Sequence, residues 1–200
     1  VLHHGLHVVR HHADAPGPSV VLVHGAPDRS KNLARVVHLL SDLPVTVYDR
    51  RGYGKSLHAG EGGGGFQVHA DDLLDLLDGT PSVVVGQSAG GAIAMMAAVQ
   101  APELFLALGV WEPPMVASPW WIGQAAMDRT AVYGDATDPF DAGEQFNRFL
   151  LGDERWEALR PSTQELLRAE GVAFRADMHC QRVELVDPRD VEVPMIVGCG

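Results

Sequence analysis

The hydrophobic and polar positions in the first half of the chain follow two alternating periods. Short apolar runs rich in β-branched residues predict buried strands at 19–24, 45–48, 82–85 and 104–111, and a looser alternation predicts an edge strand at 5–11. Segments of helical period separate these runs. Strands that alternate with helices are typical of βαβ units, so the predicted fold class is α/β, a mostly parallel sheet with helices on both faces.

Three segments between the strands carry helical spacing. Their apolar positions are Leu33, Val36, Val37 and Leu40 in the first, Leu73, Leu74 and Leu77 in the second, within 71–78, and nearly every residue of 89–99 in the third. Asp28 or Ser30 is available as the N-cap of the first helix. Since the third segment is apolar on all sides, it predicts a buried helix.

The second half of the chain changes in character after residue 114. Aromatic residues become frequent, and 115–189 has a helical pattern without a clear strand. A strand pattern returns at 191–197. We therefore predict a helical insertion in an α/β core. A glycine run at 60–65 predicts a flexible surface loop.

The net charge, the length of the apolar runs and the number of cysteines indicate which partners and which compartment to expect. The 200 residues include 15 Lys and Arg against 26 Asp and Glu, and the net charge of -11 disfavours binding to nucleic acid or to a membrane surface. No run approaches the roughly 20 apolar residues of a membrane span, and two cysteines are too few for a disulfide framework. These features predict a soluble, cytoplasmic protein whose partner is a small molecule. Whether it forms a homo-oligomer is left open by the sequence.

Residues 86–90 (GQSAG), which we call the elbow, join a predicted buried strand to the predicted buried helix. A serine at such a turn is held in strained backbone angles, and the two glycines remove Cβ atoms that would collide. The turn exposes the Ser88 hydroxyl. The N–H of Ala89 lies at the positive end of the helix dipole, where it can stabilise an oxyanion. The spacing therefore predicts a serine nucleophile at residue 88.

Two further motifs precede the elbow. Residues 24–27 (HGAP), which we call the HGAP turn, follow the strand predicted at 19–24, and residues 49–56 (DRRGYGKS) follow the strand predicted at 45–48. In this order the three motifs resemble the HG-x-P turn, the D-x-RG-x-G-x-S loop and the G-x-S-x-G elbow of the α/β-hydrolase family. The resemblance extends over essentially the whole chain.

The resemblance implies a division of the chain into two parts. Residues 1–114 and 191–200 would form an α/β-hydrolase core that is C-terminally incomplete, and 115–190 would form a helical cap. Haloalkane dehalogenases and epoxide hydrolases share this fold and cap, but they attack with an aspartate at the elbow. The serine at position 88 argues against both.

The resemblance also implies roles for individual residues. Ser88 is the expected nucleophile, and the backbone N–H groups of Ala26 and Ala89 are the expected oxyanion donors. His24 and the loop 49–56 match positions that mainly support the fold in the family.

A serine hydrolase also needs an acid and a histidine, in the chain order Ser, then Asp or Glu, then His. In the family both usually follow the closing strand, so we expect them beyond Gly200. Glu112 is an alternative acid, although its more ordinary role would be to shape the mouth of the site. We expect His58, His69 and His179 to be surface or packing histidines.

The remaining candidates concern the pocket and metals. Trp120 and Trp121 begin the predicted cap and either line an apolar substrate pocket or pack inside the cap. Five histidines near the start of the chain lack the carboxylate or cysteine partners of a metal site; they are His3, His4, His7, His11 and His12. We predict neither a metal nor a cofactor.

Together these features predict hydrolysis of a small, fairly apolar ester or related acyl compound through an acyl-serine intermediate. A carbon–carbon bond hydrolase, a lactonase and a cofactor-free peroxidase or perhydrolase are alternatives on the same fold. A non-catalytic binding module, or an inactive fragment of a hydrolase, is the alternative from another class. Because the cap sets the substrate in such enzymes, the sequence leaves the substrate open.

Overall fold

A computed structural model describes residues 2–60, 64–115, 118, 124–183 and 186–200. Its strands are β1 (Leu2–His3), β2 (Leu6–His11), β3 (Val20–Val23), β4 (Val45–Tyr48), β5 (Ser82–Gln87), β6 (Phe105–Trp111) and β7 (Met195–Gly198). Its α-helices are α1 (Ala34–Leu39), α2 (Gly65–Leu77), α3 (Ala89–Gln100), α4 (Gln124–Gly134), α5 (Pro139–Leu151), α6 (Asp153–Glu157), α7 (Pro161–Ala169) and α8 (Gly171–Val183). Short 3-10 turns lie at Ser30–Leu33, Gly54–Ser56, Pro102–Leu104 and Pro188–Asp190. Within these ranges no helix is both long and apolar enough to cross a membrane.

The strands form a single sheet in the order β1-β2-β4-β3-β5-β6-β7. The pairs β1–β2 and β2–β4 are antiparallel, and the pairs from β4 to β7 are parallel. The predicted α/β class with a mostly parallel sheet is therefore confirmed. Val23 of β3 pairs with Gly86 of β5, which pairs with Val110 of β6. The carboxyl ends of these three strands thus meet at one edge of the sheet, where open α/β sheets place their sites.

Alternate residues of the central strands pack on opposite faces of the sheet. Val21 and Val84 lie in the main core with residues of α2 and α3, whereas Val20 lies in a second cluster with Val37 of α1. Helices therefore cover both faces, as predicted. α3 is buried along almost its whole length, which agrees with its apolar composition.

The first helix buries less of its predicted apolar face than the spacing suggests. Of the four apolar positions only Val37 is buried; Leu33 and Leu40 are partly buried, and Val36 is 40% exposed. The predicted N-caps are also wrong, since the preceding 3-10 turn has no side-chain cap. The Asp28 carboxylate accepts instead from the adjacent Arg29 N–H, and the Ser30 hydroxyl is used elsewhere.

Two predicted boundaries move for local reasons. α2 begins at Gly65 rather than at residue 71, because the buried residues Phe66 and Ala70 continue the apolar spacing of Leu73 toward the N-terminus. Gly65, the last residue of the loop predicted at 60–65, is therefore the first residue of α2. β7 begins only at Met195, because the preceding residue is a proline and has no N–H for the sheet.

Between β6 and β7 the regular elements among the described residues are helices. We call 124–183 the helical insertion. Tyr133, Phe146 and Phe174 form the centre of its own apolar cluster. α8 also packs against α2, and Cys180 belongs to the main core. The insertion is thereby attached to the sheet through α8.

Two glycines allow the elbow to pack against its surroundings. A Cβ on Gly86 would lie 2.3 Å from the carbonyl oxygen of Gly90, and a Cβ on Gly90 would lie 2.4 Å from the carbonyl oxygen of Val23. Both neighbours are backbone atoms, so neither can move aside without displacing the strand or the helix. The turn between β5 and α3 depends on the absence of these side chains.

We therefore expect Gly86→Ala to lower the free energy of unfolding by about 2–3 kcal/mol, the usual cost of overpacking. Gly109→Ala is the matched control, because it also lies within a central strand but its Cβ would meet Val85 at an ordinary 3.4 Å. The control should change stability by less than about 1 kcal/mol. Urea denaturation of both variants measures the difference, and equal effects would contradict the packing argument.

Candidate active site

Ser88 has the strained backbone that the elbow predicts. It lies between β5 and α3 with φ 52 and ψ -126, a conformation that non-glycine residues adopt mainly where the surroundings impose it. Its N–H donates to the carbonyl of Trp111 over 2.8 Å, and its carbonyl accepts from the N–H of Gly91 over 2.8 Å. The side chain is half-buried. Its hydroxyl has no hydrogen-bond partner among the described residues and is free to meet a ligand.

The two expected oxyanion donors lie at the start of α3 and in the HGAP turn. Ala89 is the first residue of α3, so its N–H points out of the helix N-terminus. The HGAP turn packs on the elbow from the end of β3: a Cβ on Gly25 would lie only 3.1 Å from the Cβ of Ser88. Ala26 follows directly. Within the described part of the chain, neither the Ala26 nor the Ala89 N–H has an acceptor, so both are available to an oxyanion.

The other predicted site residues are placed less centrally. The Glu112 side chain is exposed, and its Oε1 accepts from the N–H of Gly200 over 2.9 Å. It follows Trp111, whose carbonyl binds the elbow, so it lies close to the site at the end of β6. Trp120 and Trp121 lie outside the described residues.

None of the histidines considered above meets Ser88 in the described structure. His58 and His179 are exposed, and His179 has Arg182 as its neighbour at 3.4 Å. His69 is buried on α2 and faces an aspartate. The described contacts therefore assign no general base to Ser88.

The loop 49–56 anchors the carboxyl end of β4, as expected for a supporting element. The Asp49 carboxylate accepts from the Ser30 hydroxyl over 2.6 Å and from the Lys55 N–H over 2.8 Å. Burial acts to raise the pKa of Asp49, but these hydrogen bonds outweigh it and the pKa is lowered. Gly54 is required here, since its φ is +53 and a Cβ would lie against the same carboxylate.

A cavity of about 690 Å³ opens elsewhere, between β2, α1 and α7. Val9, Val37, Lys55 and Leu166 are among its lining residues, and Ser88 is not. Among the residues described, no group of three or more His, Cys, Asp or Glu is arranged to hold a metal ion.

The profile of the Alpha/beta hydrolase family matches residues 20–198. The chain belongs to the α/β hydrolase family. Lipase LipV of Mycobacterium tuberculosis is 35% identical to this α/β hydrolase over 109 residues, which make up 54% of this chain and 41% of the lipase. This chain therefore spans less than half the length of that relative.

Two solved structures share the fold of this α/β hydrolase. A thermophilic esterase from Thermogutta terrifontis has a TM-score of 0.65 at 23% identity, with 97% of this chain and 74% of the esterase covered. The enol-lactonase from Burkholderia xenovorans LB400 has a TM-score of 0.65 at 18% identity, with 96% and 76% covered. At such identities the likeness concerns the fold alone.

His24 of the HGAP turn is fully buried in this hydrolase and uses both ring nitrogens. Nδ1 lies 2.7 Å from the carbonyl oxygen of Gly25, and Nε2 lies 2.8 Å from the backbone nitrogen of Arg50. Since a carbonyl only accepts and an N–H only donates, the ring is neutral with its proton on Nδ1. Burial, with the Arg50 charge, lowers its pKa to about 3. The histidine therefore supports the turn.

Sequence reasoning missed a buried cluster beside this turn. Arg50, Tyr53, His69 and Asp177 are each at most 1% exposed, and they meet from the loop 49–56, α2 and α8. Arg50 Nη2 and the Tyr53 hydroxyl donate to Asp177 Oδ2 over 2.8 Å and 2.7 Å. The sequence signal that could have revealed this cluster is Asp177, an acidic residue on the buried face of α8 beside the apolar residues Phe174 and Met178.

Protonation of His24 makes stability depend on pH. The unfolded chain binds this proton below about pH 6.5 and the folded protein only near pH 3, so the free energy of unfolding falls as pH is lowered through this window. His24 alone should remove about 2 kcal/mol between pH 7 and pH 5. His24→Asn should show a correspondingly smaller loss in urea denaturation.

The buried His69 has a pKa lowered by the same burial effect, so the variant should keep part of the pH dependence. His58→Asn, at an exposed histidine, controls for the removal of an imidazole. Equal pH dependence in the wild type and His24→Asn would contradict the assignment of a neutral, buried ring.

Proposed function

We propose that the protein is a serine hydrolase that cleaves a small, fairly apolar ester or related acyl compound through an acyl-serine intermediate. The observation that carries this proposal is the backbone of Ser88, strained at φ 52 between β5 and α3, with free N–H groups on either side. Strain of this kind is maintained where it serves a site.

The chemistry follows from this arrangement. The Ser88 Oγ attacks the acyl carbon and loses its proton to a base, and the carbonyl oxygen becomes an oxyanion that accepts from the N–H groups of Ala26 and Ala89. Collapse expels the alcohol, which takes up a proton, and leaves the acyl group on Oγ. Water then attacks the acyl-serine, releases the acid and restores the hydroxyl. The base and its acidic partner are not assigned among the described contacts.

The names of the compared proteins support an ester-like substrate. A lipase, an esterase and an enol-lactonase all act on ester bonds, and the match to LipV covers 54% of this chain. The net charge of -11 favours a neutral or cationic small molecule over a polyanion. In this proposal the helical insertion is part of a cap.

The decisive test is Ser88→Ala with a p-nitrophenyl ester of short chain length. We expect turnover to fall by at least roughly 10⁴-fold, because the nucleophile is lost, and labelling by a fluorophosphonate to disappear. Ser82→Ala is the matched control, since Ser82 begins the same strand and only donates to the Thr80 carbonyl. Turnover that survives in Ser88→Ala would overturn the assignment of the nucleophile.

The same assay separates the alternatives. In the wild type, hydrolysis of lactones tests the lactonase alternative and cleavage of vinylogous diketones tests the carbon–carbon bond hydrolase. Formation of a peracid tests the perhydrolase. Binding of a substrate analogue without any turnover or labelling would favour a non-catalytic module. Hydrolysis of the ester through Ser88, faster than all of these, would support the proposal.

Glu112 gives a separate prediction. A triad acid is buried and bonded to its histidine, whereas the Glu112 carboxylate is exposed and binds the N–H of Gly200. We therefore expect Glu112→Gln, which keeps the acceptor and removes the charge, to retain kcat within about threefold. In a Ser-His-Asp triad, removing the charge of the acid leaves the histidine in the wrong tautomer and lowers kcat roughly 10⁴-fold. A fall of that size would make Glu112 the acid.

A further inference from the structure

The buried cluster contains a link to the HGAP turn that the proposed chemistry does not use. Arg50 Nε lies 3.1 Å from the carbonyl oxygen of His24, and its Nη2 lies 2.9 Å from that of Gly25. The His24 ring also binds the Gly25 carbonyl over 2.7 Å. The Gly25 carbonyl is thus held by two donors, both fully buried.

This carbonyl controls the direction of an expected oxyanion donor. The carbonyl of Gly25 and the N–H of Ala26 belong to one peptide unit. Because a trans peptide is planar, its C=O and N–H point in opposite directions. Holding the Gly25 oxygen toward Arg50 therefore directs the Ala26 N–H away from Arg50.

Arg50 in turn depends on Asp177. The two side chains are completely buried and joined at 2.8 Å, and the Tyr53 hydroxyl donates to the same carboxylate oxygen. A buried guanidinium without a counter-charge strongly destabilises the folded protein. Asp177 lies on α8 of the helical insertion, so the position of the insertion determines where Arg50 is held.

A second ion pair also joins the insertion to the loops of the core. Glu170 accepts from Arg29 Nε over 2.6 Å and from Arg29 Nη2 over 2.5 Å, and it accepts from the Gly54 N–H over 2.7 Å. It is 1% exposed. None of these contacts reaches the carbonyls of the HGAP turn. Both ion pairs thus attach the same insertion, but of the two only the Arg50–Asp177 pair bonds carbonyls of the HGAP turn.

We propose that Arg50 and Asp177 are positioning residues that orient the Ala26 N–H, so that the helical insertion controls the geometry of the oxyanion hole. This inference rests on the proposed function. It goes beyond that function by making a residue outside the α/β core necessary for the stabilisation of the transition state.

The test compares Asp177→Asn with Glu170→Gln, two charge removals at buried insertion-to-core pairs. Loss of a whole oxyanion donor costs roughly 10²–10³-fold in kcat, so a misdirected donor in Asp177→Asn should cost about 10–100-fold. KM for the p-nitrophenyl ester should change by less than about threefold, because the effect falls on the transition state. Glu170→Gln should keep kcat within about threefold. Equal kcat values in the two variants would overturn the proposal.

A second variant covers the case in which Asp177→Asn fails to fold. Replacing a whole buried ion pair by apolar residues often preserves stability. Arg50→Met combined with Asp177→Leu should therefore fold, with a loss of about 1–3 kcal/mol for the His24 carbonyl that loses its donor, and should still lose kcat. A stable double variant with wild-type kcat would overturn the proposal.

Amide hydrogen exchange of residues 24–26 provides a readout independent of turnover. Exchange should accelerate in Asp177→Asn and in the double variant but not in Glu170→Gln. Unchanged exchange in the first two would also overturn the proposal. If Ser88→Ala retained turnover, the proposed function itself would fail, whereas Ser88-dependent turnover with equal kcat in Asp177→Asn and Glu170→Gln would reject only this inference.

Discussion

The close approach of the HGAP turn to the elbow is the constraint on which the candidate site depends. Gly90 lies so near the ends of β3 that a Cβ would be 2.4 Å from the oxygen of Val23 and 2.6 Å from that of His24. Gly25 meets Ser88 from the other side. Because both positions lack a side chain, the end of β3 can pack this closely against the turn that carries Ser88.

This packing creates a second requirement. Carbonyl groups that turn inward at the end of a strand need donors, since an unpaired buried carbonyl costs about 1–3 kcal/mol. The carbonyls of His24 and Gly25 receive theirs from Arg50. A buried arginine then needs a carboxylate, and Asp177 supplies it from α8. Each step follows from the one before, so the helical insertion is tied to the elbow through backbone carbonyls and one ion pair.

The elements near the elbow could be predicted because their patterns are continuous. The run at 82–85 and the apolar helix after it placed Ser88 at a strained turn, and its φ is 52. The first helix was predicted less well, since Val36 has the right spacing and is still 40% exposed. Spacing shows which residues share a face, but burial also requires another element to cover that face.

The ion-pair partner of Asp177 could not be predicted from the local sequence pattern. An acidic residue on the buried face of a helix indicates a cationic or donating partner opposite it, because burial of an unpaired carboxylate is too costly. The partner lies 127 residues away in the sequence, and the loop offers two adjacent arginines. Arg51 pairs with Asp72 of α2 and is partly exposed, whereas Arg50 is completely buried. Two adjacent arginines are equivalent in a local pattern, so the pattern could not predict that Arg50, and not Arg51, pairs with Asp177.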